Sequence, residues 1–211
     1  MFKDRFDAGK KLANKLSKYH GEKDAIILVL PRGGVIVGAE VAKELKLPLD
    51  IIVTRKISHP MNPEYAIGAV GENSVELDQG ASEVEKDYLE EEIEKQRKEI
   101  ARRIKVYRGT KKPVIIKDKI IILVDDGIAT GLTMIAAIKE IKGKNPRKIV
   151  VAVPVGAPDT VNRIKPLVDE IICLESPENF IAVGQFYEEF GQTPDEKVIN
   201  ILHNKNIDKI K

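Results

Sequence analysis

Ile120-Ile121-Ile122-Leu123-Val124-Asp125-Asp126-Gly127-Ile128-Ala129-Thr130-Gly131-Leu132-Thr133-Met134 is the stretch that decides the fold. It opens on an apolar run, and the residues after it, Ile135-Ala136-Ala137-Ile138-Lys139-Glu140-Ile141, have helical spacing. The local order is therefore strand, tight loop, helix. Two carboxylates stand at the strand's carboxyl end. A loop of small residues with two threonines then opens onto a helix N-terminus, where unpaired N–H groups and the helix dipole attract anions. That layout fits a ligand with vicinal hydroxyls at one end and a phosphate at the other, as in a ribose 5-phosphate. A plain strand-to-helix turn has no need of paired acids followed by Thr-Gly-x-Thr. The loop lacks the Gly-Lys-Ser/Thr ending of a P-loop, and no Gly-x-Gly-x-x-Gly follows a strand.

Outward from this centre, strands and helices alternate. Towards the C-terminus, Lys148–Val153 reads as a strand, Pro158–Ile164 as a short helix and Glu170–Leu174 as a strand. Upstream, Phe2, Phe6, Leu12, Ala13 and Leu16 predict a helix over most of 2–18, ended by Gly21. Ala25–Leu30 is a continuous apolar strand, Gly34–Lys46 a helix and Leu49–Thr54 a second strand. Between there and Gly80, Gly, Asn and Pro are frequent, with strand-like pieces at Ala66–Val70 and Ser74–Leu77. A long charged helix is expected from about Glu83 to Tyr107, started by a Ser82/Glu85 capping box and stopped by Gly109. Glu91/Lys95 and Glu94/Lys98 support its solvent side, and Val84, Tyr88, Ile93, Ile100 and Ile104 form a thin apolar stripe that lays it on the sheet. Alternation of this kind predicts an α/β fold with a mainly parallel, twisted sheet flanked by helices and ligands at the strands' carboxyl ends. The lysine-rich end, Lys205–Lys211, is expected to fray.

The 211 residues suit one domain with a full sheet. Charged residues make up 32% of the chain yet nearly cancel, to +2, and basic pairs are scattered among acids, so no nucleic-acid stripe is expected. Abundant Lys, Glu and Ile with no Trp lean towards a heat-adapted protein. The single cysteine, Cys173, lies in an apolar run and is expected in the core. No membrane span or signal peptide is evident, which predicts a cytoplasmic protein. His20, His59 and His203 are too scattered for a zinc motif.

A second loop suits an anion. Pro31-Arg32-Gly33-Gly34 follows the first strand, where glycines admit a ligand close to the backbone and an arginine forks towards phosphate oxygens. With Asp125 to Thr133, it makes the chain resemble the type I phosphoribosyltransferases. Arg55-Lys56 and Asn62-Pro63-Glu64-Tyr65-Ala66-Ile67-Gly68-Ala69-Val70 add a likeness to phosphoribosyltransferase-like proteins of undefined substrate from bacteria and archaea. The resemblance covers about 25–174. It implies a core there, a flexible loop and long helix over 57–112, and a small C-terminal hood over about 175–203.

The same resemblance implies roles. Asp125 and Asp126 hold the ribose hydroxyls of phosphoribosyl pyrophosphate (PRPP). Gly127, Ile128, Ala129, Thr130, Gly131 and Thr133 wrap the 5′-phosphate. Pro31, Arg32 and Gly33 grip the pyrophosphate across a cis Pro31–Arg32 bond, with Arg55 and Lys56 meeting it as it departs. Asp125, Asp126 and Arg32 are the catalytic candidates. Mg²⁺ bridges pyrophosphate and ribose, with Asp125 and Asp126 as indirect partners. The implied reaction transfers the 5-phosphoribosyl group to a nitrogenous base, in nucleotide or nucleoside metabolism, by a homodimer. The alternative is a PRPP- or nucleotide-sensing module without turnover.

The residues 58–65 correspond to a loop that closes over the site, with His59 a candidate phosphate contact but more simply solvated. Phe180, Phe186, Tyr187 and Phe190 group in the hood region, where Phe186 and Phe190 at i,i+4 read as core. Purine-specific members commonly carry an acid where this chain has Ala129, and some carry a lysine in place of Val153-Pro154-Val155. Both departures point away from hypoxanthine and guanine and leave the base undefined. Gly127 stands where larger apolar residues are usual.

Overall fold

The apolar runs fold as the alternation requires. A computed structural model describes residues 1–203, so the expected fraying at 205–211 lies outside the described residues. Along the chain come α1 (Arg5–Lys15), β1 (Ala25–Val29), α2 (Gly33–Leu45), β2 (Leu49–Ile51), β3 (Arg55–His59), β4 (Asn62–Val70) and β5 (Val75–Leu77). Then follow α3 (Lys86–Arg108), β6 (Ile120–Val124), α4 (Leu132–Lys142), β7 (Lys148–Val155), α5 (Pro158–Ile164), β8 (Glu170–Glu175) and α6 (Asp195–His203).

The main sheet has the order β2-β1-β6-β7-β8, with every neighbour parallel. Its inner strands are apolar on both faces because both faces are covered. Ile27, Val29, Ile122, Val124, Val150 and Ala152 pack with residues of α1 and α2 on one side. Leu28, Ile121, Leu123, Val151 and Val153 pack with Met134, Ile138, Ile141 and Ile164 of α4 and α5 on the other. The chain leaves β1 for β2 on one side and returns to β6 on the other. The order therefore reverses between β1 and β6, and a crevice opens at their carboxyl ends where open α/β sheets bind ligands.

Several local expectations are corrected. The segment 55–77 forms a second, antiparallel sheet, β3-β4-β5, so β2 stops at Ile51 short of the expected Thr54, and Arg55 and Lys56 start β3. Asp4, whose side chain accepts from the Asp7 N–H at 2.8 Å, starts α1 later than expected, and a 3-10 turn over Ser17–Tyr19 follows its end. No capping box forms at α3: Ser82 lies in a 3-10 turn and its hydroxyl donates to the Gln79 carbonyl at 2.7 Å. Gly109 does stop α3, with a φ of 61°. Lys98 pairs with Glu94 at 3.8 Å, but Lys95 turns to Glu92 at 2.8 Å instead of Glu91. Cys173 packs against the core but is only half-buried, because β8 is an edge strand with a neighbouring strand on one side alone, although burial still pushes its thiol up to about 11. Residues 195–203 form α6, whose Val198 and Ile201 join the core beside α2 and α3.

An acid-sensitive cluster ties β8 to the start of β7. Glu170 accepts from Lys18 at 2.6 Å, Tyr19 at 2.7 Å and Lys148 at 2.9 Å. Partial burial alone would raise the Glu170 carboxyl, but these hydrogen bonds outweigh it and hold it at about 2. Its folded value is depressed, so its contribution is complete above the unfolded value of about 4.3 and is lost as pH falls towards 2. Glu170→Gln should lower stability by about 1 kcal/mol at neutral pH and flatten the acid limb of stability in that window. Denaturant titrations between pH 2 and 7 measure both effects.

Candidate active site

The two strand ends at the reversal carry the two predicted loops, and the loops touch. After β6, Asp125 and Asp126 turn into the crevice, and the Asp126 N–H donates to Asp125 Oδ1 at 2.8 Å. After β1, the bond Pro31–Arg32 is cis, as the resemblance implied, and α2 begins immediately at Gly33. A Cβ on Gly33 would land on Asp126 Oδ2, and one on Gly34 would lie 2.8 Å from Asp125 Oδ1. Only a residue without a side chain lets the helix start this close to both acids. Burial, and then the adjacent Asp126 charge, push the Asp125 carboxyl well above the usual carboxylate range.

The loop 127–131 is pinned from behind. The Ile128 N–H donates to Val155 at 2.9 Å and its carbonyl accepts from Ala157 at 2.9 Å, so Ile128 anchors the loop to β7 with its side chain buried. Thr160 donates to the Ala129 carbonyl at 2.7 Å, and Arg163 donates to the Thr130 carbonyl. Gly131 takes φ +74°, a left-handed conformation that turns the chain into α4. Ala129 and Thr130 are left exposed at the tip, ahead of the α4 N-terminus. Thr133 lies in the first turn of α4, where its carbonyl accepts from Thr54 at 3.2 Å.

The remaining predicted cations diverge. Arg32 lies 3.6 Å from Asp195 at the start of α6, and Tyr107 donates to that same carboxylate at 2.7 Å. Burial and this hydrogen bond push the Tyr107 hydroxyl up to about 12. Arg55 is half-buried and donates to Gln96 of α3 at 2.9 Å, in the electrostatic field of Arg103 and Arg32. Lys56, the next residue on the strand, points the opposite way, donating to the Pro63 carbonyl at 3.0 Å. Arg55 thus stays near the Arg32 loop, while Lys56 serves the hairpin. His59 is half-buried and turned onto its own hairpin, its Nδ1 accepting from the Met61 N–H at 3.2 Å and its ring 5.9 Å from that of Tyr65, so it is not simply solvated.

Arg5, not singled out from the sequence, and Tyr187, named only as one of the hood aromatics, complete the site. Arg5 of α1 donates to Asp126 Oδ2 at 2.7 Å and to the Gly191 carbonyl at 2.8 Å, and its guanidinium lies 3.9 Å from the centre of the Phe190 ring. Tyr187 donates to the Asp126 carbonyl at 2.6 Å. Phe186 packs with Phe2, Val155, Phe180 and Val183, as expected of a core residue; Phe190 does not, being 37% exposed over Arg5. The two phenylalanines share no helix: a 3-10 turn over Val183–Phe186 ends at Phe186 and leaves Phe190 outside it, so their spacing does not align them. This turn also explains Gly127, since a Cβ there would lie 2.5 Å from Val183.

No group of three or more His, Cys, Asp or Glu residues among the described residues forms a metal cluster. The paired carboxylates are hard oxygen donors of the kind Mg²⁺ accepts one or two at a time alongside substrate phosphates, so they fit a substrate-borne ion. No described helix is long and apolar enough to cross a membrane.

The chain matches the phosphoribosyl transferase domain family over residues 2–190. Two Mycobacterium tuberculosis proteins carrying the name "putative phosphoribosyl transferase" are 40% identical over 99% of this chain, but it spans only 48% of their length. The crystal structure of TT1426 from Thermus thermophilus is 42% identical with a TM-score of 0.80, covering 95% of this chain and 97% of that one. The purine phosphoribosyltransferase of Pyrococcus horikoshii shares the fold at 21% identity, with a TM-score of 0.50 over 90% of this chain and 93% of that one.

Proposed function

The chain belongs to the phosphoribosyltransferase family, and on that premise we propose that it transfers a 5-phosphoribosyl group from PRPP to a nitrogenous acceptor and releases pyrophosphate. The observation that carries this reading is the meeting of the two loops at the sheet's reversal point, glycine against carboxylate. Asp125 and Asp126 hold the ribose 2′- and 3′-hydroxyls. The exposed tip at Ala129 and Thr130, with Gly127, Gly131 and Thr133, surrounds the 5′-phosphate at the α4 N-terminus, and Ile128 braces the loop. Arg32, with the backbone of Pro31 and Gly33, takes the pyrophosphate, and Arg55 extends that positive edge. Lys56 would join it only by leaving the hairpin.

Departure of pyrophosphate leaves an oxocarbenium-like ribose. This chain's part in that step is positioning and charge: carboxylates beneath the sugar, arginines around the leaving group. Asp125 and Asp126 would hold Mg²⁺ indirectly, through the ribose hydroxyls, and the ion would supply neutralising charge to the pyrophosphate. Ala129 supplies no proton acceptor, so the acceptor arrives as a nucleophile or loses its proton to another group. The reading extends to a homodimer working in nucleotide metabolism in the cytoplasm, with small-molecule partners and no nucleic acid or membrane. One domain serves it, with the core, the loop-and-helix segment and the hood as its parts.

The test is pyrophosphate release from Mg²⁺ and PRPP across a panel of bases. Release with one base supports transfer and names the acceptor. PRPP binding with no release across the panel favours the sensing module and contradicts turnover.

Asp195 competes for Arg32 in the free protein. Both side chains are over a third exposed, so the pair is worth about 1 kcal/mol or less. Asp195→Asn should therefore tighten pyrophosphate binding about two- to fivefold, read by calorimetry.

A further inference from the structure

Arg5 is nearly buried, with 9% of its surface exposed, at the edge of the crevice and outside every motif. Its guanidinium is held on three sides. Nε donates to Asp126 Oδ2 at 2.7 Å, Nη1 donates to the Gly191 carbonyl at 2.8 Å, and the Phe190 ring covers its face at 3.9 Å. A guanidinium tied this way does not swing to a substrate phosphate. What it can do is fix the carboxylate it touches. That carboxylate also lies against Gly33, which offers no side chain to hold it, and beside the Asp125 carboxyl, while the Tyr187 hydroxyl binds only its backbone carbonyl.

We propose that Arg5 is the positioning residue for Asp126, an inference that rests on the phosphoribosyl reading above. By engaging Oδ2, Arg5 sets the carboxylate plane and leaves Oδ1 for a ribose hydroxyl. Through Gly191 and Phe190, the same side chain ties the stretch above the crevice to the ribose-binding acid.

The inference is tested with Arg5→Ala and Arg5→Lys, titrated separately with ribose 5-phosphate and with magnesium pyrophosphate. Arg5→Ala should weaken ribose 5-phosphate at least tenfold and leave pyrophosphate within twofold, because pyrophosphate meets the Arg32 loop. Arg5→Lys, which keeps the charge but not the fork, should recover part of the loss. A general structural role would weaken both ligands together, and that result overturns the proposal. So does unchanged or tighter ribose 5-phosphate binding, which would mean that Arg5 blocks Asp126. If Arg5→Ala does not fold, Arg5→Lys decides: a three- to tenfold selective loss supports the proposal, and wild-type behaviour overturns it. A wild-type protein that binds no ribose 5-phosphate overturns the phosphoribosyl reading itself, a result distinct from any variant-specific failure.

Discussion

Asp126→Asn is expected to lower PRPP turnover about a hundredfold while leaving the fold intact. The carboxylate makes charge-assisted hydrogen bonds, which are worth roughly twice a neutral one. Losing the charge removes the acceptor that the developing cation most needs and breaks the match to Arg5, whose Nε lies 2.7 Å from Oδ2. A loss of about 3 kcal/mol in the transition state corresponds to about two decades in rate. Stability should change little, since removing one of two adjacent acids also relieves the repulsion that helps raise Asp125. Initial rates of pyrophosphate release, with a melting curve on the same sample, measure both. Turnover within threefold of wild type would show that Asp126 does not hold the ribose.

Gly33→Ala is expected to abolish activity through one methyl group. The added carbon would land on Asp126 Oδ2 and lie 3.0 Å from Arg5 Nε, so the carboxylate must swing away and the Arg5 pair must open. The helix itself should tolerate the change, because Gly33 is the first residue of α2 and alanine is the better helix former by about 1 kcal/mol. The variant should therefore melt within a few degrees of wild type and bind ribose 5-phosphate at least fiftyfold more weakly. Calorimetry on the folded variant checks this. A Gly33→Ala protein with normal ribose 5-phosphate affinity would show that the contact between the two loops is incidental.

The centre of the molecule was legible because its signals are local. Runs such as Ile120–Val124 and Ala25–Val29 are apolar on both faces, which suits inner parallel strands, and the acids and glycines of the two loops follow them directly. The cis bond at Pro31–Arg32 came from family likeness, and the structure contains it. The antiparallel hairpin of β3 and β4 was not legible. Its outer half is exposed on both faces, so Asn62-Pro63-Glu64-Tyr65 lacks the alternation that marks a half-buried strand. The capping box at Ser82 failed because a 3-10 turn captured the serine first. Arg5 was illegible for a deeper reason. It stands 121 residues from Asp126 in the chain, and nothing near it marks it apart from any other arginine on a charged helix. Only the packing of α1 beside the crevice gives it a role.

The central claim is that the loop after β6 holds the phosphoribosyl group, and amide chemical-shift mapping with magnesium PRPP tests it most directly. The account predicts saturable shifts that are largest at Asp126 to Thr133 and at Arg32 to Gly34, with Asp126→Asn diminishing both sets. Shifts centred elsewhere, or none at millimolar PRPP, would contradict it.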